Sequence, residues 1–343
     1  MPPPPDYLVR ARAPLRVDFA GDGTDVPLFA GEHGGAGVAV ALSLSAHVEA
    51  RLGGRAIRLC GEDPDDRVTL DSPTALTYDG RLDRPKAALN MLPVTGGIEL
   101  ISWVDAPAGA GLGRRGALAT ALLATLYECR REPYGALDLA ELAFQLEAVE
   151  LKRFAGRQDP WIATLGGFRA FDFTGDAVTE RAVALDPAAL AELSAHLVLA
   201  HPGRATGSEG AGRRVWERYA AGDAPVAAAL AALRDAVAPM TRALEAGEWR
   251  RVAELVEETG GRYAALDPIW AAPPTRAVVA ALREAGAWGV KPTGPRPGAG
   301  LLIVGPRERR EGIVGAVRAR GWVVLDATLA GEGVAVWLEP LEA

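Results

Sequence analysis

The sequence predicts a two-lobed α/β (α+β) protein, an N-terminal α/β domain followed by a C-terminal ferredoxin-like domain. Three observations predict it. The chain has 343 residues, enough for one large domain or two ordinary ones. Its first half mixes strand-like alternation with helical runs, whereas its tail alternates helix and strand as an antiparallel layer requires. Between them, "DFTGDAVTERAVALDP" (172–187) is polar and rich in turn signals. The boundaries follow: a disordered lead-in, "MPPPPDYLVR" (1–10), then an α/β domain over 11–180 and a ferredoxin-like domain over 181–343.

Each element follows from its residue pattern. "GAGVAVALSLSAHVEARL" (35–52) alternates β-branched and small residues and ends as a polar/apolar strand. "GIELISWVDA" is a second strand, with Ile98, Leu100 and Trp103 available to the core. A glycine loop follows and feeds a helix in which Leu118, Leu122 and Leu126 repeat at i, i+4 and i+8. A second amphipathic helix is predicted over "LDLAELAFQLEAVELKRF" (137–154), burying Leu139, Leu142, Leu146 and Val149. "GGFRAFDF" turns on its glycines and then alternates as a strand. Beyond the boundary, "AHLVLAHPG" is a strand, and alanine-rich helices run to about residue 266. The tail reads as helix 273–285, strands near 288–290 and at 301–304, helix 307–319, and strands 322–326 and 333–338.

Composition excludes several function classes. With 49% hydrophobic and 24% charged residues and a mean hydropathy of +0.07, the chain reads as soluble and globular. A net charge of -7 argues against nucleic-acid partners. No run approaches the ~20 apolar residues of a membrane span, and the start lacks a signal-peptide core. A cytoplasmic monomer or homodimer acting on a small molecule is expected. Cys60 and Cys129 give neither metal spacing nor a disulfide framework, and the four histidines form no ligand pair. Arginine carries nearly all the positive charge, because the only lysines are Lys86, Lys152 and Lys291.

The chemistry concentrates in "DAPAGAGLGRRGALATALLATL" (105–126), which has the layout of a phosphate cradle. Gly109, Gly111 and Gly113 let backbone N–H groups approach an anion closely, and the helix that follows supplies a favourable dipole. Arg114 and Arg115 stand in its mouth.

Three stretches resemble the GHMP kinases, the family of galactokinase, homoserine kinase, mevalonate kinase and phosphomevalonate kinase. The branch most resembled acts on D-glycero-D-manno-heptose 7-phosphate. "APLRVDFAGDGTDVPLFAGEHGGAGVAVAL" resembles that branch's substrate-side signature. "LEAVELKRFAGRQDPWIATLGGF" follows its Glu…Gly-x-Gln-Asp…Gly-Gly pattern without a gap, and the glycine loop lies where the family has Pro-x-x-x-Gly-Leu-Gly-Ser-Ser. The likeness spans 13–173, and the second half by layout only.

The resemblance implies an active site in the cleft between lobes, ATP as donor, Mg2+ as cofactor, and a phosphorylated sugar or cyclitol as acceptor. The heptose-like signature further implies phosphorylation at the 1-position of a seven-carbon acceptor. Asp159 matches the catalytic aspartate that takes the acceptor's proton, and Glu147 the magnesium ligand. Arg16, Asp22, Thr24, Asp25, Arg157 and Gln158 match the acceptor side. Gly109, Gly111, Gly113, Arg114, Arg115 and Arg296 fall where phosphates are expected.

Two departures complicate the kinase expectation. Ser-Ser has become Arg114-Arg115, and the C-terminal Gly-Ala-Gly-Gly-Gly-Gly has become "TGPRPGAGLLIV", where Pro295 and Pro297 remove backbone donors beside Arg296. A cation at a helix N-terminus opposes the dipole by ~0.3–1 kcal/mol unless an anion intervenes, and arginine's planar fork suits phosphate. Three functions are compatible. The leading one is an atypical kinase whose arginines clamp phosphates. The second is a transferase using phosphoribosyl pyrophosphate and releasing pyrophosphate, as β-ribofuranosylaminobenzene 5′-phosphate synthase does on this scaffold. The third is a sugar-phosphate-binding protein without turnover.

Overall fold

The computed structural model describes residues 7–63, 65–71, 76–203, 210–294 and 298–340. The chain runs β1 (Tyr7–Ala20), α1 (Pro27–His33), β2 (Gly35–Leu52), β3 (Ile57–Cys60), β4 (Arg67–Leu70), α2 (Asp83–Met91), β5 (Ile98–Val104) and α3 (Arg114–Arg130). Then come α4 (Ala136–Gln145), a π-helical turn (Leu146–Glu150), α5 (Gln158–Leu165), β6 (Phe168–Thr174), β7 (Ala177–Ala182), α6 (Pro187–His196) and β8 (Leu197–His201). A helical stretch follows: α7 (Gly210–Ala220), α8 (Ala224–Asp235), α9 (Val237–Glu245), α10 (Trp249–Gly260) and α11 (Tyr263–Leu266). After a 3-10 turn (Pro268–Ala271) the chain closes with α12 (Pro273–Glu284), β9 (Gly289–Pro292), β10 (Leu301–Val304), α13 (Arg310–Ala319), β11 (Val323–Leu325) and β12 (Ala335–Pro340).

The first sheet has the order β12-β1-β2-β5-β3-β4, with β6 on β2 and β7 on β6. Besides β1, β2 serves two further neighbours because it is long: its residues 46–52 pair with β5 and residues 35–40 with β6. Along β1 the pairing with β2 shifts register between Pro14 and Arg16 and again between Asp18 and Ala20. Pro14 has no N–H for the ladder, and such irregularities re-aim side chains. Arg16 and Asp18 thus lie between two register shifts, in the fully buried stretch of the strand from residue 13 to residue 20. The second sheet, β11-β8-β10-β9, is antiparallel throughout. Its chain order, strand–helices–strand–strand–helix–strand, is the ferredoxin-like arrangement.

One hydrophobic core spans both halves. Leu15, Val17, Val40 and Leu122 from the first half belong to the same buried cluster as Met240, Val252, Leu302 and Val304. Its centre is α3, buried on nearly every side by alanines and leucines that let α5 approach closely. At Gly116 an added Cβ would lie 2.6 Å from the Asp159 Cβ and 2.7 Å from the Pro160 nitrogen. α3 and α5 therefore meet where the motif aspartate sits.

Four expectations are corrected. Tyr7–Arg10, expected as the end of a disordered lead-in, begin β1 and pair with β12 at the register Tyr7↔Pro340; residues 1–6 lie outside the described ones. β12, expected as part of the second domain, closes the edge of the first sheet. The helix predicted over 137–154 ends at Gln145 and passes into a π turn, so Val149 is 65% exposed instead of buried. Burial along β5 follows Ile98, Leu100, Ser102 and Val104, while Trp103 lies on the other face and stacks on His47.

Gly116→Ala tests the α3–α5 contact. Helix propensity alone would favour alanine by about 1 kcal/mol; overpacking against Asp159 and Pro160 is expected to destabilise by about 1–3 kcal/mol in urea unfolding. A stabilised variant would contradict the close packing.

Candidate functional site

The glycine loop enters α3 through Gly113, whose φ of 72° is a left-handed conformation that suits glycine at the helix N-cap. The loop is fastened on two sides. Thr293 Oγ1 donates to the Ala110 carbonyl at 2.6 Å, and the Gly300 N–H donates to the same oxygen at 3.2 Å, which ties the loop to the second sheet. On the other side, Arg16 donates Nη1 to the Gly111 carbonyl at 2.7 Å and its own N–H to the Leu112 carbonyl at 3.0 Å.

Arg16 also holds Asp159. Its Nε and Nη2 lie 2.8 Å and 2.7 Å from Asp159 Oδ1. Both residues adjoin Gly113, where an added Cβ would meet the Arg16 Cγ at 3.0 Å and an Asp159 oxygen at 3.4 Å. Burial works against the Arg16 charge, yet Asp159, Asp22 and Asp18 outweigh it and keep the guanidinium protonated. Asp159 Oδ1 is fully engaged, and its side chain remains 32% exposed.

Behind this pair lies a buried acid cluster. Asp18 accepts from Gln158 Nε2 at 2.7 Å and from Lys291 Nζ at 3.1 Å, the last an ion pair with no exposed side-chain surface. Tyr263 donates its hydroxyl to Asp22 at 2.8 Å, and Asp25 accepts from the Gln158 N–H at 2.8 Å. Burial raises Asp22, and the Asp18 charge raises it further. Burial, then the Asp159 charge, lifts Asp25 from 3.8 to about 7 against the Gln158 hydrogen bond. Burial and the neighbouring Asp22 and Asp18 carboxylates hold the Tyr263 phenol well above its ordinary range, so it stays a donor. Two cations, Arg16 and Lys291, thus face four aspartates, and the cluster relieves the imbalance by favouring neutral Asp22 and Asp25.

Other motif residues are turned elsewhere. Thr24 is fully buried, and its hydroxyl donates to the Gly21 and Ala36 carbonyls while accepting from the Ala36 N–H, so it holds the turn together. Arg157 points away from Asp159: it pairs with Glu141 at 2.9 and 3.1 Å and Asp176 at 3.3 Å, and it lies over the Phe144 ring. Arg114 bends back to Glu62 at 2.8 Å and to the Ala106 carbonyl. Arg115, half-buried in the first turn of α3, makes no hydrogen bond or ion pair among the described residues. Arg296 lies outside the described residues.

Glu147 is also committed. It sits in the π turn with a 4% exposed side chain, and both its oxygens are taken by the Arg84 guanidinium, Nε on Oε1 and Nη2 on Oε2 at 3.2 Å. Tyr78 and Asn90 bind Glu150 of the same turn, fastening it to α2 and the segment before it. No group of three or more His, Cys, Asp or Glu side chains among the described residues is arranged to hold a metal ion. With Glu147 closed by Arg84 and arginines in place of the hydroxyl pair, these residues do not fit a magnesium ion held by the protein.

A family model for the GHMP kinases N terminal domain matches residues 83–167, which contain the glycine loop, α3 and Asp159. A D-glycero-alpha-D-manno-heptose 7-phosphate kinase from Campylobacter jejuni is 30% identical over 174 residues. Residues 83–167 are thus similar to the GHMP kinases N terminal domain, and the sequence likeness extends to a heptose-phosphate kinase. That match covers 48% of this chain and 50% of the relative, so it spans about half the relative's length. Among solved structures, a D-glycero-D-manno-heptose 1-phosphate kinase from Bacteriodes thetaiotaomicron superposes with a TM-score of 0.78 at 22% identity, covering 96% of this chain and 98% of the other. Lactococcus lactis galactokinase complexed with galactose gives a TM-score of 0.74 at 16% identity, over 96% and 95% of the two chains. The shared GHMP fold is thus two-lobed and mixed α/β, as expected from sequence.

In this chain the motifs locate Arg16, Asp22, Asp25, Gln158 and Asp159 together but miss Asp18, Lys291 and Tyr263. Two of these had a signal. Lys291 is one of only three lysines and falls inside the apolar strand "GVKP", and Asp18 is a lone acid between Val17 and Phe19. Tyr263, from the helical second half, had none.

Two measurements check the cluster. Lys291→Met leaves Asp18 buried and unpaired and is expected to cost about 3–5 kcal/mol of unfolding free energy; a cost within about 0.5 kcal/mol, typical of surface sites, would show the pair to be unimportant. For Asp25, the folded-state value lies above the unfolded one, so stability it contributes at low pH is lost as pH rises from 3.8 through about 7. Asp25→Asn is therefore expected to flatten the decline of melting temperature across that window. Equal slopes in variant and parent would remove Asp25 as its source.

Proposed function

We propose that this chain transfers the γ-phosphoryl group of ATP to a hydroxyl of a sugar phosphate, with a seven-carbon sugar phosphate as the first acceptor to test. The observation that carries this reading is the Arg16–Asp159 pair at the mouth of the glycine loop, where one carboxylate meets both a phosphate cradle and an acidic pocket. Asp22 and Asp25 suit hydroxyl recognition, since a buried carboxyl near its titration point both accepts and donates hydrogen bonds. The Campylobacter jejuni relative, named as a heptose 7-phosphate kinase, supports the acceptor class. Kinases among the relatives favour this reading over the phosphoribosyl pyrophosphate one.

The step follows from the residues. Arg16 holds Asp159 by Oδ1, which leaves Oδ2 to accept the acceptor's hydroxyl proton. The hydroxyl oxygen bonds to the γ-phosphorus, the bond from that phosphorus to the bridging oxygen breaks, and ADP leaves. The proton ends on Asp159. N–H groups at the start of α3 stabilise the charge that builds on the transferring group. Arg16 acts by holding Asp159, as a positioning residue.

Release of ADP, measured with a panel of hexose, heptose and cyclitol phosphates, tests the reading. One acceptor is expected to turn over, and Asp159→Asn is expected to lower its rate by about 10²–10⁴-fold. ATP bound without turnover of any phosphorylated sugar, or an Asp159→Asn chain as fast as the parent, would refute it.

A further inference from the structure

A protein that neutralises a triphosphate needs positive charge near the glycine loop, and this chain has placed guanidinium groups where a cation-binding pair would be required. Glu147 is the carboxylate positioned by the motif to hold magnesium, but it is 3% exposed and held two-to-two by Arg84. A carboxylate so paired has given its lone pairs and its charge to a partner that does not exchange with a hydrated ion. The turn carrying it is further pinned through Glu150 to Tyr78 and Asn90, so Glu147 does not swing free without breaking several contacts. At the other position, the hydroxyl pair of the family motif is Arg114-Arg115.

These two arginines differ in what they do. Arg114 is neutralised by Glu62. Arg115 lies one residue further into the helix start, on the positive end of the dipole, without an acidic partner among the described residues. A half-buried cation there is electrostatically unfavourable until an anion arrives. Two residues thus stand at the two halves of a metal site: Arg84 pairs with the carboxylate, and Arg115 places a positive charge in the first turn of α3, directly after the loop.

We propose that this chain binds the polyphosphate of its donor through guanidinium and backbone groups, and holds no divalent cation through its own side chains. The proposal rests on the nucleotide reading above for the identity of the donor, but the statement about the cation stands on Glu147–Arg84 alone.

The test has two arms. In the first, Mn2+ is titrated into the nucleotide-free protein and free ion is followed by its electron paramagnetic resonance signal. The free signal is expected to be undiminished; one tightly held ion per chain would overturn the proposal. In the second, ATP is titrated calorimetrically with excess Mg2+ and with a chelator. Equal or tighter binding in the chelator is expected, and Arg115→Ser is expected to weaken it at least about tenfold, the loss of one charge-assisted contact. Binding that appears only with Mg2+ would overturn the proposal. Absence of ATP binding in both buffers would instead refute the nucleotide reading, and the Mn2+ arm would still decide the cation.

Discussion

The Arg16 guanidinium is the contact on which the site depends. It reaches from a register-shifted stretch of β1 to the Gly111 carbonyl and to Asp159 Oδ1, so three segments distant in sequence are joined by one side chain. An isolated cation this buried would be costly. Here the loop carbonyl and the surrounding carboxylates compensate it, and in return their positions are fixed. Gly113 and Gly116 make this geometry possible by leaving room for Arg16 and Asp159 against the start of α3.

The acid cluster behind it is a second consequence of the same burial. Lys291 reaches Asp18 from the second sheet and pairs with it, whereas burial and neighbouring carboxylates push Asp22 and Asp25 toward neutrality. The two halves are therefore joined by electrostatics as well as by a shared core. Lys291 and Tyr263 carry the chemistry of the second half into a pocket otherwise built by the first. Near-neutral carboxyls beside a fixed carboxylate suit the hydroxyl-bearing part of a polar acceptor.

Much of this was legible in the sequence, for a definable reason. Periodicity gives the strands and helices because burial imposes it, and the tail's alternation gave the ferredoxin-like sheet. Motif spacing located the backbone of Arg16, Asp25 and Asp159 because those positions are set by tight turns and close packing. Side-chain direction was not legible where the partner is remote: Glu147 turns to Arg84, Arg157 to Glu141, and Thr24 inward to its own turn. The continuous helix expected to residue 154 failed because the π turn at 146–150 rotates the register and puts Val149 outside. The return of β12 to the first sheet is a long-range pairing that no local pattern announces.

The central claim, that Arg16 acts by holding Asp159, is tested most directly by a double-mutant cycle on phosphoryl transfer with Arg16→Met and Asp159→Asn. If the two work as one unit, the double variant is expected to be no slower than Asp159→Asn alone, within a factor of about three, as for other catalytic groups that act together. Losses that multiply, each variant keeping its full effect in the presence of the other, would contradict the account and assign Arg16 a separate role.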